Sequence, residues 1–252
     1  MGSQKKKQPA KKKGIDKSAV IIALVGVAVI AALILVFVLT LPDKDSDNII
    51  DHGDHTHIEG VEDDIHDTAS SVDMTAIAKE IDAKQVSDFK ETDKVTEYVK
   101  ISIKDHGDIV IRLREDIAPI SVKNFRDLVA DGFYNGLTFH RIIQNFMIQG
   151  GQNANVDVST IKGEFSANGV DNDLLHLRGV ISMARTAVMD SATSQFFICD
   201  ATSPHLDGQY AAFGYVVAGL STVDSVAAVT TNASDAPLSE VVMEKVCFVT
   251  EK

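Results

Sequence analysis

The sequence predicts a mainly β domain, a barrel or a sandwich, standing behind one membrane-spanning helix, and three observations carry that expectation. Residues 18–41 form an uncharged apolar run, "SAVIIALVGVAVIAALILVFVLTL". From Tyr98 onward apolar residues recur at every second position, first Val99, Ile101 and Ile103, then Ile109, Ile111 and Leu113. Such alternation lines one face of a strand. Beyond these, apolar runs are short and broken by Gly, Asp and Ser, which suits a barrel or sandwich better than a doubly wound sheet.

The segments follow in order. Residues 1–17 are a basic tail, seven lysines against Asp16 alone, too polar to fold by itself. At about 1.5 Å per residue, the run 18–41 is long enough to cross a hydrocarbon core of roughly 30 Å. Lysines before it and acids after it place the amino terminus in the cytoplasm and everything beyond Pro42 outside, as in a single-pass protein of the cell membrane. The run exceeds the ~7–15 apolar residues of a cleaved signal, and "VFVLTL" offers no small-residue exit, so an uncleaved anchor is expected.

Residues 42–96 read as an acidic spacer. Within 43–97, 17 acids stand against five lysines, a balance that favours a largely disordered, solvated chain. His52, His55, His57 and His66 lie there among carboxylates, a mixture of ligands that zinc, copper or nickel uses. Their spacing matches no fixed site, so a hydrated spacer and a weakly metal-binding one are both open. Ile77 and Ile81 sit at helical spacing and predict a short, marginal helix at most.

Residues 97–252 read as the globular domain. From Tyr98 on there are 18 acids and 12 bases, an ordinary balance, and about 150 residues can bury one sizeable core. The first two strands meet at a turn over residues 105–108, forming a hairpin. "APISVKNFRDLVADGF" then predicts an amphipathic helix, with Pro119 near its start, Val122, Phe125, Leu128 and Val129 on one face, and Gly132 after its end. Strand-like runs follow in "GVISMA", "SQFFIC", "AAFGYVV" and "VVMEKVCFVT", with a second helix over residues 222–229. Cys199 and Cys247 lie in apolar runs and read as two buried thiols, a disulfide being the other reading. Asn232-Ala-Ser is a glycosylation-type triplet. The sequence holds no phosphate-cradling glycine loop and no nucleophile elbow. The domain is acidic without a basic stripe, which argues against nucleic acid as a partner.

One segment resists this bland reading. "TFHRIIQNFMIQGG" sets Arg141 among apolar residues, and an unpaired buried guanidinium is costly. Arg141 must therefore be neutralised by a partner or stand at the lip of a cavity. If residues 137–143 are a strand, Phe139, Arg141 and Ile143 share one face, with Thr138, His140 and Ile142 on the other. Phe146, Met147 and Gln149 add an aromatic ring, a thioether and an amide, which fit a shallow apolar pocket with a few directed hydrogen bonds.

"NFRDLV", "FYNGLTFHRIIQNFMIQGG", "IKGEFSANG", "RGVISMART", "SATSQFFI" and "LDGQYAAFG" occur in this order, and together they resemble the cyclophilin family of peptidyl-prolyl isomerases over residues 97–252. The resemblance implies a closed eight-stranded antiparallel barrel with two capping helices. It implies that Arg141 is the main catalytic residue, assisted by Gln149. By the same matching Phe146, Met147, Phe197 and Leu206 would line a proline pocket, while Gln149, Ala184, Arg185 and Gln195 would border the peptide groove, with Tyr210 beside them. Proline-containing polypeptides would be the partners, and neither metal nor cofactor is called for. Two positions depart from the family: His205 stands where many members have Trp, and Tyr210 where many have His. With no Trp in the chain, the indole donor linked with tight cyclosporin binding is missing. Two functions fit: an outward-facing, membrane-tethered isomerase acting on exported proteins, or a tethered proline-binding module or holdase without turnover.

Overall fold

The computed structural model of the protein describes residues 72–252. The basic tail, the expected membrane helix and the four spacer histidines lie outside these residues. Among the described residues no helix is long and apolar enough to cross a membrane, and no cluster of His, Cys, Asp and Glu is arranged to hold a metal.

The strands are β1 (Phe89–Glu91), β2 (Tyr98–Ile103), β3 (Gly107–Leu113), β4 (Phe139–Ile143), β5 (Met147–Gly150), β6 (Val180–Met183), β7 (Phe196–Cys199), β8 (Ala212–Ala218) and β9 (Met243–Glu251). They form one antiparallel sheet in the order β1-β9-β2-β3-β8-β6-β7-β5-β4. The sheet closes on itself where the chain entering β4 meets the chain entering β9. There Phe139 N–H donates to Val241 C=O at 2.9 Å and Met243 N–H to Leu137 C=O at 2.8 Å, flanking a Thr138–Val242 bridge. Strands β2 to β9 thus make a ring of eight, and β1 is a ninth strand laid against the far half of β9, pairing Phe89 with Glu251.

The alternation read in β2 is borne out: Val99, Ile101 and Ile103 point inward and are buried. In β3 three consecutive residues, Ile109, Val110 and Ile111, are buried, because the outer face of that strand is covered as well. Helix α2 (Pro119–Ala130) puts Val122, Phe125 and Val129 into the barrel core, and helix α3 (Leu220–Ala227) adds Leu220, Val223 and Val226. Ala118, at the start of α2, has no side chain to cap it. Glu164 does so instead from a distant loop: Oε1 accepts from Ile120 N–H at 2.9 Å, and Oε2 from the N–H and the hydroxyl of Ser121, both at 2.7 Å. A carboxylate at a helix amino terminus satisfies donors left free by the helix and meets the positive end of its dipole.

Residues 72–91 bear out the short helix expected around Ile77 but correct the reading of this stretch as disordered spacer. A third helix, α1 (Met74–Glu80), is capped by Asp73, whose Oδ1 accepts from Thr75 N–H and Ala76 N–H at 3.0 Å each. Ile77 and Phe89 are buried in one apolar cluster with Val110, Tyr215 and Val217 on the outer face of β3 and β8. Main-chain bonds stitch the segment down: Asp82 N–H to Val216 C=O at 3.1 Å and Lys84 N–H to Val217 C=O at 3.0 Å. Asp82 Oδ1 also accepts from Leu220 N–H at 2.9 Å, capping α3. Charge averaged over the whole spacer conceals these few well-placed apolar residues, and tertiary burial stabilises a helix too short to persist alone. We call residues 72–91 the strap.

Candidate active site

Strands β4, β5 and β7 lie side by side, and their outward residues fall into two rows. Arg141 faces Gln149, which faces Phe197; Ile143 faces Met147, which faces Cys199. Cross-strand neighbours on one face have Cβ atoms within about 5.5 Å, so each row is a continuous strip of side chains. The first row ends in polar donors and the second is apolar. A shallow cavity of about 120 Å³ opens between them, lined by Arg141, Phe146, Met147, Gln149, Ala184, Arg185, Phe197, Leu206 and Tyr210.

A bulge corrects the face expected for Phe139. The β4–β5 register shifts between Phe139 and Arg141, so that Phe139 pairs with Gly150 while Arg141 pairs with Gln149. His140 is the extra residue. Phe139 and Ile142 therefore both enter the barrel core, while Arg141 turns outward to the cavity and Ile143 packs against the Met147 and Phe197 cluster beside it. Bulges re-aim side chains in this manner beside functional sites. Burial holds the His140 imidazole below its ordinary pKa, with the Arg141 charge acting in the same direction, and its Nδ1 is buried without a hydrogen-bond partner.

Turns and loops complete the cavity. Asn145 adopts a left-handed φ of 60° in the β4–β5 turn, where its N–H donates to Asp200 Oδ2 at 2.7 Å. Asp200 N–H returns a bond to Phe146 C=O at 2.9 Å, which sets Phe146 at the cavity wall. Leu206 comes from a single 3₁₀ turn, Pro204–Leu206, and His205 beside it lays its ring on Phe146 at 5.3 Å. The chain thus keeps an aromatic contact at the position where the resembling family often has Trp.

Gln195 lies just behind the lining: its Oε1 accepts from Gln149 Nε2 at 3.0 Å, fixing the amide of Gln149. Arg185 lines the cavity as the groove reading expects, and its donors are taken up by the protein itself. Its Nε and Nη2 donate to Gln209 C=O at 3.0 and 2.8 Å, and its Nη1 to Thr186 C=O at 2.8 Å. The guanidinium also lies 4.7 Å from the Tyr210 ring centre and 5.0 Å from that of Phe165. Arg185 braces the wall that carries Tyr210, and Tyr210 in turn meets Phe197 edge-on at 5.7 Å.

Beneath Phe197 runs a Ser-His-Asp chain. His176 Nδ1 is 3.0 Å from Asp207 Oδ1 and its Nε2 is 3.1 Å from Ser182 Oγ, while its ring stacks on Phe197. Ser182 is wholly buried, so no substrate reaches its hydroxyl; the chain supports the pocket floor. Burial lowers the His176 pKa, against the raising pull of Asp207. Cys199, also buried, has its thiol pushed up to about 12, and Cys247 is half-buried; both are free.

Arg141 has the partner that the sequence could not name. Its Nε and Nη2 each lie 3.3 Å from Asp235 Oδ2, and both side chains are about two-fifths exposed, at 43% and 41%. Asp235 is 94 residues away in the chain, and no local signal links the two.

Comparison with known proteins points to one family. Residues 98–247 match the family model for cyclophilin type peptidyl-prolyl cis-trans isomerases. The chain is 48% identical over 130 residues to peptidyl-prolyl cis-trans isomerase A of Dickeya dadantii, covering 50% of this chain and 68% of that one. It is 40% identical over 153 residues to peptidyl-prolyl cis-trans isomerase B of Escherichia coli, covering 56% and 93%. Its fold is similar to a cyclophilin type isomerase of Cryptosporidium parvum crystallised in the presence of the dipeptide Ala-Pro, with a TM-score of 0.56 and 27% identity over 61% of this chain and 99% of that one.

Proposed function

The chain belongs to the cyclophilin-type peptidyl-prolyl cis-trans isomerases, and from that premise we propose that Arg141 lowers the barrier to X-Pro rotation by donating to the twisted prolyl nitrogen. The peptide C–N bond has partial double-bond character and a rotation barrier of about 18–20 kcal/mol. For X-Pro, uncatalysed exchange takes tens of seconds or longer. Twisting removes the resonance, makes the nitrogen pyramidal and localises a lone pair on it. A guanidinium N–H aimed there stabilises the twisted state more than the planar one, which is the condition for catalysis. Lowering the barrier by about 7 kcal/mol accelerates exchange roughly 10⁵-fold.

The observation that carries this reading is the facing pair Arg141 and Gln149 beside the apolar floor of Met147, Phe197 and Leu206. The floor takes the proline ring and excludes water from one side of the bond. Gln149, held by Gln195, donates to or accepts from the flanking peptide, and no bond to the substrate is made or broken. Cis/trans exchange of a Phe-Pro peptide, followed by NMR with the full-length chain, tests it. Fast exchange that collapses in Arg141→Ala supports the assignment, whereas exchange at the uncatalysed rate with peptide still bound makes this a binding module.

The proposal extends to place. An uncharged run at 18–41 between a lysine-rich tail and an acidic segment supports a single-pass anchor, with the isomerase outside the cell membrane and exported proteins as clients. Protease added to intact cells should then remove the domain, and a protected domain contradicts the orientation.

A further inference from the structure

We propose that Asp235 is a positioning residue for Arg141, holding one edge of the guanidinium so that the other faces the prolyl nitrogen. This rests on the role given to Arg141 above. Arginine is a long, flexible side chain, and fixing its plane before the substrate arrives reduces what must be ordered at the twisted state. The one carboxylate oxygen of Asp235 engages Nε and Nη2, which lie on the same edge, each at 3.3 Å. Among the described residues Nη1 bonds to no protein group, and Arg141 lines the cavity.

The loop that carries Asp235 is built to keep it there. Asp235 C=O accepts from Ile142 N–H at 2.8 Å, so the loop is fastened to the strand position next to Arg141 itself. Asn232 organises the same loop: its Oδ1 accepts from Ser234 N–H at 2.8 Å and Ala236 N–H at 3.1 Å, and its C=O from Asp235 N–H at 3.1 Å. Asp235 itself sits at φ 61°, a left-handed backbone that Asp and Asn tolerate far better than other side chains. The contact is long and partly exposed, so it orients the guanidinium without locking it away from a substrate.

The test is a double-mutant cycle on the full-length chain, with kcat and KM for a Phe-Pro peptide taken from NMR exchange. Asp235→Asn keeps the shape and suits the backbone, but removes the charge. The expected result is a fall in kcat of about five-fold, the upper end for an exposed ion pair, with KM nearly unchanged. In an Arg141→Ala background the same change should have no further effect, because the group it positions is gone. Wild-type kcat in Asp235→Asn, alongside a collapsed Arg141→Ala, overturns the positioning role alone. An equal fall in both backgrounds also overturns it, since Asp235 would then act through the loop. Unchanged turnover in Arg141→Ala overturns the mechanism and the positioning role together.

Discussion

Arg112 and Arg141 both project from the outside of the barrel, yet the fold surrounds them differently. Arg112, on β3 under the strap, donates from Nη1 to Glu80 at 2.8 Å and from Nε to Glu97 at 2.9 Å. Burial works against its charge, but the bonds to Glu97 and Glu80 outweigh that and raise its pKa. Arg141, on β4, has a single carboxylate at 3.3 Å and an edge turned to a cavity. A cation gripped from two sides belongs to the architecture. One held loosely on one edge retains donors for a passing substrate, and mere presence of an arginine on a barrel wall does not separate the two cases.

The contrast breaks first where the effect is largest. Arg141→Ala should reduce isomerase turnover by about 10²–10³-fold, the usual result of deleting a donor aimed at a developing charge. Its unfolding free energy should barely move, since exposed ion pairs contribute little; denaturant unfolding checks this. On the strap side, Ile77→Ala should cost about 2 kcal/mol, the low end for a buried isoleucine because a short helix can shift into the space. Amide exchange should accelerate across residues 74–91 while turnover stays at the wild-type rate. Arg112→Ala should destabilise by about 1–2 kcal/mol, again with turnover unchanged, as its two carboxylates lose a charged donor.

The smallest effect is a pH dependence. Hydrogen bonds from Lys100 and Lys245 hold the Glu91 carboxyl at about 2, below its ordinary 4.5. A depressed carboxylate contributes stability above pH 4.5 and loses it as pH falls toward 2. Glu91→Gln should therefore melt slightly below wild type at neutral pH, and the difference should vanish in melts taken near pH 2. Burial of neutral His176 adds to acid sensitivity in the same direction, since its folded-state pKa is lowered and its stabilisation is lost as pH falls below 6.5.

The two regions also differ in how well they could be read. Pocket residues arrive in contiguous stretches, and the segments bearing Arg141 to Gln149, Ala184 to Phe197 and Leu206 to Tyr210 all meet at one cavity. Strict alternation misplaced Phe139, because a one-residue bulge leaves no trace in an apolar pattern. The strap was legible only as a short helix: the spacing of Ile77 and Ile81 marks it, but Phe89 is an isolated apolar residue in an acidic stretch, and the burial of Ile77 and Phe89 depends on the outer faces of β3 and β8. Glu164 capping α2 and Asp235 holding Arg141 depend on contacts 43 to 94 residues apart, which one sequence does not disclose.

The most direct measurement follows the arginine Nε–H signals of the full-length chain by NMR while a Phe-Pro peptide is added and its cis/trans exchange is recorded. The Arg141 signal should shift in step with the onset of fast exchange, and the Arg112 signal should stay in place. Fast exchange with an unmoved Arg141 signal would contradict the role given to Arg141, because the rate enhancement would then come from elsewhere in the pocket.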